Sequence, residues 1–265
     1  ETGLRGMAAE LQADPLVGAE GIMTTDTYPK ALSLEVGGAT ITWVAKGSGM
    51  IEPNLATMLV YIFTDARFDP DTLDRMLRAA VHDSFNMLSV DADTSTSDTC
   101  ALLANGLAGE VPERDFYQAL RAGCIRMTEM LARDGEGATK LLRAHVEGAA
   151  SEADARTVAK SLINSPLIKT MAFGADPNVG RMLMAVGKCV HVAQDPARIA
   201  AWINATPVVH GGVRLDFDEP ALRAELAGDP IDLRVDLGMG GGRATAYGCD
   251  LTHGYIDENA AYYSS

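Results

Sequence analysis

One glycine-rich segment, residues 46–59, combines small, polar and hydroxyl-bearing side chains at a spacing that could do chemistry. It reads Lys-Gly-Ser-Gly-Met-Ile-Glu-Pro-Asn-Leu-Ala-Thr-Met-Leu and leads directly into the apolar run 58–63. Thr57 therefore lies where a tight loop meets a buried strand. The spacing alone favours a β-branched core residue over a functional role for the Thr57 hydroxyl. A phosphate-binding P-loop is excluded, because the Gly-x-Gly element lacks the Lys-Ser or Lys-Thr ending.

The other polar residues give weaker chemical signals. Residues 89–99 carry enough hydroxyls and carboxylates for a metal site, but we favour a hydrogen-bonded turn with a supporting role. The five histidines lack ligand spacing, which argues against zinc, and no Ser-His-Asp arrangement is legible. We expect neither a metal nor another cofactor. The four cysteines form no Cys-x-x-Cys pair and indicate small buried residues in a reducing compartment.

Five amphipathic stretches, each opening with a capping residue or an early proline, are predicted to be helices that position these segments. The predicted helices run from Pro70 to Leu88, from about Pro112 to Arg133, from Ser151 to just before Ser165, from Asp195 through Ile203 and from Asp218 through Leu226. In the second, Phe116, Leu120, Cys124, Met127 and Leu131 form one apolar stripe.

Strand signals fall between the predicted helices. Residues 31–45 alternate around Gly37-Gly38, which predicts a hairpin because both turn positions tolerate a positive φ. Further strands are expected at 58–63, 166–173, 181–190, 207–216, 230–237 and 243–251. The fold class is therefore α/β, a layered α+β sandwich with mixed sheets and flanking helices, although the pattern leaves the topology open.

Composition narrows the class of protein. Asp and Glu outnumber Lys and Arg by 36 to 22 in 265 residues, for a formal charge of −14. Such a chain lacks the clustered cations that bind nucleic acid or an anionic membrane surface. No apolar run reaches the roughly 18 residues that span a bilayer, and Glu1–Gly6 does not resemble a signal peptide. We expect a cytoplasmic protein.

Seven separated blocks match the motifs of one known family in order and register. They are residues 22–27, 46–59, 89–99, 134–140, 165–170, 174–181 and 248–252. On these blocks the chain resembles the ornithine acetyltransferases, also called bifunctional glutamate N-acetyltransferases, over essentially its whole length. Residues 46–59 match the self-cleavage segment of that family.

The resemblance implies a self-processing enzyme made of two subunits. The peptide bond between Ala56 and Thr57 would break autocatalytically, dividing the chain into residues 1–56 and 57–265. Thr57 would then be both an N-terminal residue and the nucleophile. Its freed α-amine, with a pKa of about 7.7–8.0 in model compounds, can serve as the base. An acetyl-Thr57 ester implies ping-pong kinetics.

The resemblance also assigns the remaining site residues. Thr2 and Gly3 match the oxyanion hole, although the block around them departs from the usual pattern and could be a simple N-terminal turn. The matched substrate-binding positions are Thr25, Lys46, Glu136, Asn259 and Ser264. Lys46 would face an α-carboxylate and Glu136 an ammonium group such as that of ornithine. Without the resemblance, both would be interpreted as solvated surface charges.

The expected activity is acetyl transfer from N-acetylornithine to glutamate by a dimer of processed heterodimers. Two alternatives use the same threonine: an N-acyl amino acid hydrolase, and a specialised acyltransferase of secondary metabolism. The second stays open because Asn178-Val179-Gly180 replaces the usual Asn-Trp-Gly. A non-catalytic binding module would not need the intact junction at Thr57. Since the family carries a segment ahead of the Thr-Gly pair, we expect residues to precede Glu1.

Overall fold

The computed structural model describes residues 13–52 and 58–260. Its first sheet has four strands in the order β1-β2-β3-β4. They are β1 (Lys30–Val36), β2 (Ala39–Lys46), β3 (Leu59–Arg67) and β4 (Thr99–Glu110). The predicted hairpin is confirmed as β1–β2, turning at Gly37 and Gly38 with φ of 57° and 83°. β3 runs antiparallel to β2 and parallel to β4, so the sheet is mixed.

The second sheet is also mixed and has six strands in the order β10-β5-β9-β6-β7-β8. They are β5 (Leu141–Ala149), β6 (Ala200–Ile203), β7 (Thr206–His210), β8 (Val213–Arg214), β9 (Ile231–Asp236) and β10 (Gly242–Cys249). Only the β5–β9 pair is parallel within this described sheet. The predicted class, a layered α/β sandwich with mixed sheets, is confirmed.

The described helices are α1 (Pro15–Glu20), α2 (Pro70–His82), α3 (Glu113–Arg133), α4 (Glu152–Ile163), α5 (Pro166–Phe173), α6 (Gly180–Gly187), α7 (Glu219–Leu226) and α8 (His253–Ala260). α3 packs against β1 and β2 of the first sheet and against β5 and β10 of the second. Its predicted apolar stripe is completely buried. Gly123 belongs to the same face, where an added Cβ would lie 2.2 Å from the Trp43 ring, so only glycine lets α3 approach that ring closely.

Several predicted elements are wrong. Residues 166–173 and 181–190 were expected to be strands but form α5 and most of α6, because Ser165 accepts a hydrogen bond from Ile168 N and starts a helix instead of ending one. Residues 195–203 form one 3₁₀ turn at Pro196–Arg198 and then β6, which pairs with β9. β4 and β5 were not predicted.

The boundaries of two other elements also differ from expectation. α2 ends at His82, and the stretch to Leu88 contains a 3₁₀ turn at Phe85–Met87. Residues 207–216 divide into β7 and β8 around Gly211-Gly212. None of the helices in the described part of the chain is long and apolar enough to cross a membrane.

Candidate active site

The glycine-rich segment connects the ends of two neighbouring strands. Lys46, the last residue of β2, is paired with Leu59, the first residue of β3. The described residues between them, 47–52 and 58, therefore lie at one end of the first sheet. Residues 53–57, which include Ala56 and Thr57, lie outside the described residues. The flanking residues 47–52 and 58 are described.

On the N-terminal side, carboxylates hold the loop through its backbone. The Asp91 carboxylate accepts hydrogen bonds from Met50 N at 2.7 Å and from Ile51 N at 3.0 Å. Met50 has a φ of 51°, which an L-residue adopts rarely and which the two Asp91 bonds help to maintain. Glu52 then accepts from Asn164 Nδ2 at 2.6 Å. The loop is thus fixed up to its last described residue.

On the C-terminal side, Asp98 performs the same task. Its Oδ1 accepts a hydrogen bond from Met58 N at 2.6 Å, and Thr99 N donates to Met58 O at 3.0 Å. Asp98 Oδ2 is buried without a hydrogen-bond partner among the described residues. Burial raises the pKa of Asp98 to about 6, although the Met58 N–H and the charge of Lys46 act in the opposite direction.

Lys46 is buried yet lacks a described counter-charge. It is 6% exposed, and its Nζ donates to Thr24 Oγ1 at 3.2 Å. Within residues 13–52 and 58–260, no carboxylate forms an ion pair with it at 4.0 Å or less. A buried ammonium of this kind favours an anionic ligand, because an opposite charge would offset its lost hydration.

A buried ion triad lies beside Lys46. Lys30 Nζ contacts the carboxylates of Asp26 (2.7 Å) and Asp134, and all three side chains are almost fully buried. Asp26 also accepts from Gly47 N at 2.7 Å, so the triad positions the start of the glycine-rich loop. Burial alone would raise the pKa of Asp26, but the hydrogen bonds from Gly47 and Lys30 outweigh it and hold that pKa below its usual value.

Hydrogen bonds join the other three predicted binding residues in the described chain. Thr25 Oγ1 and Ser48 Oγ share a short hydrogen bond, and Ser48 O accepts from Glu136 N at 2.9 Å. Asn259 Nδ2 of α8 donates to Glu136 Oε2 at 2.9 Å. Gly49 lies directly against Glu136, where a Cβ would come within 2.3 Å of the carboxylate. Thr25, Glu136 and Asn259 therefore lie around the same loop as Lys46.

A small acidic cavity of about 150 Å³ opens beside Glu136. Asp91, Lys169, Asp250 and Tyr255 also line it. Burial, with the nearby Asp91 and Glu136 carboxylates, raises the pKa of Tyr255 to about 12. Such a surface favours a cationic group of a small ligand.

A larger cavity of about 460 Å³ contains none of the predicted site residues. Its lining includes Arg121, Arg156, Arg234 and Arg243. In the described chain, His82, Asp83 and Glu152 come close enough together to hold a metal ion. Asp83 already pairs with Arg121 at 2.9 Å.

Five predicted site residues lie outside the described residues: Thr2, Gly3, Ala56, Thr57 and Ser264. Their roles stay predictions. Three carboxylates that support the loop, those of Asp26, Asp91 and Asp98, were not singled out from the sequence. Asp98 directly precedes β4, whose first residue Thr99 pairs with Leu59 of β3. Recognising β4 would have placed Asp98 opposite Met58.

Two mixed sheets, with a carboxylate-braced polar loop at one end of the first, define a layered α/β protein with a candidate site at that loop. The ArgJ family model matches residues 1–264. The chain is 48% identical to the arginine biosynthesis bifunctional protein ArgJ of Rhodococcoides fascians, over 98% of this chain and 65% of that protein. It is 46% identical to the glutamate N-acetyltransferase Oat2 of Streptomyces clavuligerus, over 92% and 63% respectively.

A solved structure agrees with these matches. The crystal structure of the arginine biosynthesis bifunctional protein ArgJ from Bacillus halodurans superposes with a TM-score of 0.75 and 38% identity, covering 78% of this chain and all of that one. The chain therefore belongs to the ArgJ family, which confirms the resemblance drawn from its motifs. It spans slightly less than two thirds of the length of the first two relatives.

Proposed function

We propose that the protein to which this chain belongs is an acetyltransferase that moves acetyl from N-acetylornithine to glutamate through an acetyl-Thr57 ester. Cleavage between Ala56 and Thr57 precedes the reaction and divides the chain into residues 1–56 and 57–265. Membership of a family with relatives named for arginine biosynthesis and glutamate N-acetylation supports this activity. The proposed assembly is a cytoplasmic dimer of processed heterodimers.

The observation that carries the proposal is the bracing on both sides of residues 53–57. Asp91 and Glu52 anchor the chain before them, and Asp98 anchors Met58 after them. A cleaved chain would not come apart here, because β2 and β3 stay paired and Lys30 and Asp134 form a buried ion pair across the division.

In the first half-reaction, Thr57 Oγ attacks the acetyl carbonyl carbon while its proton passes to the freed α-amine of Thr57. The tetrahedral intermediate then collapses, the bond from acetyl carbon to the ornithine nitrogen breaks, and that nitrogen takes the proton. In the second half-reaction these steps run in reverse: the amine of glutamate attacks the carbonyl carbon of the acetyl-Thr57 ester, the bond to Thr57 Oγ breaks, and Oγ takes back a proton. Thr2 and Gly3 donate hydrogen bonds to the oxyanion.

The charges of the two substrates suit the predicted binding residues. Lys46 binds the α-carboxylate, and Glu136 binds the ammonium group of ornithine, with Thr25, Asn259 and Ser264 completing the pocket. The unneutralised Lys46 ammonium and the acidic cavity beside Glu136 support this orientation.

Mass spectrometry of the native protein tests the proposal. We expect two pieces divided before Thr57, and N-acetylornithine should add one acetyl group to the piece that begins there. Glutamate should remove it. Thr57→Ala should abolish both cleavage and labelling, whereas Thr157→Ala, which changes an exposed threonine of α4, should leave both intact. An undivided wild-type chain would contradict the proposal, and acetate release without glutamate would indicate a hydrolase.

A further inference from the structure

The small cavity beside Glu136 has a buried lysine in its wall. Lys169 of α5 is 5% exposed and lines this cavity of about 150 Å³. Its Nζ donates to Cys249 O at 2.5 Å and to Cys249 Sγ at 3.7 Å, and Cys249 lines the same cavity. The Lys169 ammonium therefore lies at the cavity wall.

Two other buried lysines show what Lys169 lacks. Lys30 contacts two carboxylates, and Lys140 donates to two carbonyls, Ala172 O at 2.6 Å and Leu226 O at 2.7 Å. Lys169 has one carbonyl and a thiol, and no carboxylate among the described residues forms an ion pair with it at 4.0 Å or less. Because a thiol is a weak acceptor, this buried ammonium favours a further, anionic partner.

The carboxylates of the same cavity are of two kinds. Asp91 and Asp250 each accept hydrogen bonds from two backbone N–H groups, at 2.7–3.1 Å, and so hold the chain in place. Glu136 is half-buried and has the Asn259 amide as its described side-chain partner. Glu136 and Lys169 are therefore the two opposite charges that this cavity offers to a ligand.

Under the proposed function, on which this inference rests, the site receives two side chains of opposite charge. Ornithine has a side-chain ammonium, which Glu136 attracts, whereas glutamate has a side-chain carboxylate, which Glu136 repels. A ping-pong reaction releases the first substrate before the second binds, so both side chains can use the same cavity. A cavity of about 150 Å³ accepts a ligand as large as benzene, so either side chain fits. The carboxylate needs a cation that the ammonium does not.

We propose that Lys169 binds the side-chain carboxylate of the acceptor glutamate and so determines acceptor specificity. Glu136 binds the side-chain ammonium of ornithine in the first half-reaction, and Lys169 binds the side-chain carboxylate of glutamate in the second. Lys46 binds the α-carboxylate in both. A charge-assisted hydrogen bond of this kind discriminates strongly between a carboxylate and a neutral group of the same shape.

Lys169→Gln tests the inference because it keeps an N–H donor for Cys249 O and removes the charge. The enzyme is acetylated with N-acetylornithine, separated from excess donor, and mixed with glutamate or with glutamine, which has the same shape without the side-chain charge. Intact mass follows the loss of acetyl. We expect the wild type to prefer glutamate, and the ratio of the two rate constants to fall about 10- to 100-fold in Lys169→Gln. Transfer back to ornithine should change less than about two-fold.

Two further variants control the experiment. Lys140→Gln alters a buried lysine that likewise donates to backbone carbonyls but lies outside the lining of the cavity, so it should keep the wild-type ratio. Lys169→Arg retains the charge and should keep the preference for glutamate. If Lys169→Gln does not fold, a crystal structure of the wild type with glutamate carries the test. Its side-chain carboxylate should lie within about 3.2 Å of Lys169 Nζ, and a carboxylate bound elsewhere would overturn the inference.

The outcomes separate this inference from the proposed function. A wild type that is never acetylated, or whose acetyl group glutamate does not remove, contradicts the proposed function, and the role of Lys169 fails with it. If the wild type transfers acetyl to glutamate but shows no preference over glutamine, or Lys169→Gln keeps the wild-type ratio, only the role of Lys169 is overturned. An equal loss of rate with both acceptors also overturns it, because that result indicates a structural part alone.

Discussion

Two buried lysines at the same end of the first sheet show how similar burial can serve different purposes. Lys30, on β1, is completely buried and contacts two carboxylates. Lys46, on β2, is 6% exposed and has only the Thr24 hydroxyl as a described side-chain partner. We call Asp26, Lys30 and Asp134 the balanced region, and Lys46, Asp98 and Glu136 the open region.

The difference lies in charge compensation. In the balanced region every charge has a partner of opposite sign inside the protein. In the open region, Lys46 has no described ion-pair partner, and one carboxylate oxygen of Asp98 has no described hydrogen-bond donor. A buried charged or polar group without a partner lowers stability, and proteins keep such groups mainly where a ligand or a reacting group supplies the partner. We therefore expect substitutions in the two regions to separate stability from activity.

The largest effect is expected from Lys30→Met. Removing the ammonium leaves the Asp26 and Asp134 carboxylates buried without their partner, which should lower the free energy of unfolding by about 3–5 kcal/mol. Chemical denaturation at pH 7 measures it. Lys188→Met, at an exposed position after α6, is the matched control and should change stability by less than about 0.5 kcal/mol. An equal loss of unfolding free energy in Lys30→Met and Lys188→Met would show that the buried ion triad contributes no special stability.

Lys46→Met should have the converse effect. Stability should stay the same or rise, because a buried ammonium without a described counter-charge becomes apolar. Loss of a charged hydrogen bond to the substrate carboxylate should lower kcat/KM by about 10- to 100-fold, equivalent to about 1.5–3 kcal/mol. Steady-state acetyl transfer and denaturation of the same sample check both parts. A large loss of stability would contradict the comparison, because it would show that Lys46, like Lys30, stabilises the fold.

The sequence anticipated only part of the open region. Lys46 and Glu136 were found because they match substrate-binding positions of the family that the motifs resemble. Asp98 was missed because its role depends on β4, whose Ala-, Gly- and Leu-rich sequence has little strand preference and which forms by parallel pairing with β3. Likewise, short apolar runs such as 166–173 do not distinguish a strand from a buried helix without the cap at Ser165.

The smallest effect is a difference in the sign of pH dependence. The pKa of Asp98 is raised to about 6, so the folded state binds this proton more tightly than the unfolded chain does, whose pKa is near 3.9. Ionisation of Asp98 above pH 6 therefore costs stability. Asp98→Asn in a Thr57→Ala background should be more stable than that background at pH 7 by about 1 kcal/mol, after allowance for partial exposure. The gain should vanish by pH 4.

Asp26 should show the opposite behaviour. Its pKa is lowered in the folded state, so its contribution is fully present above the unfolded value near 3.9 and is lost only as pH falls through the folded value. Asp26→Asn should thus be less stable than the same background from pH 8 down to about 4, with the deficit shrinking below that. Denaturation curves across this range check both signs. If Asp98→Asn and Asp26→Asn shift stability in the same direction at pH 7, the division into a balanced and an open region does not hold.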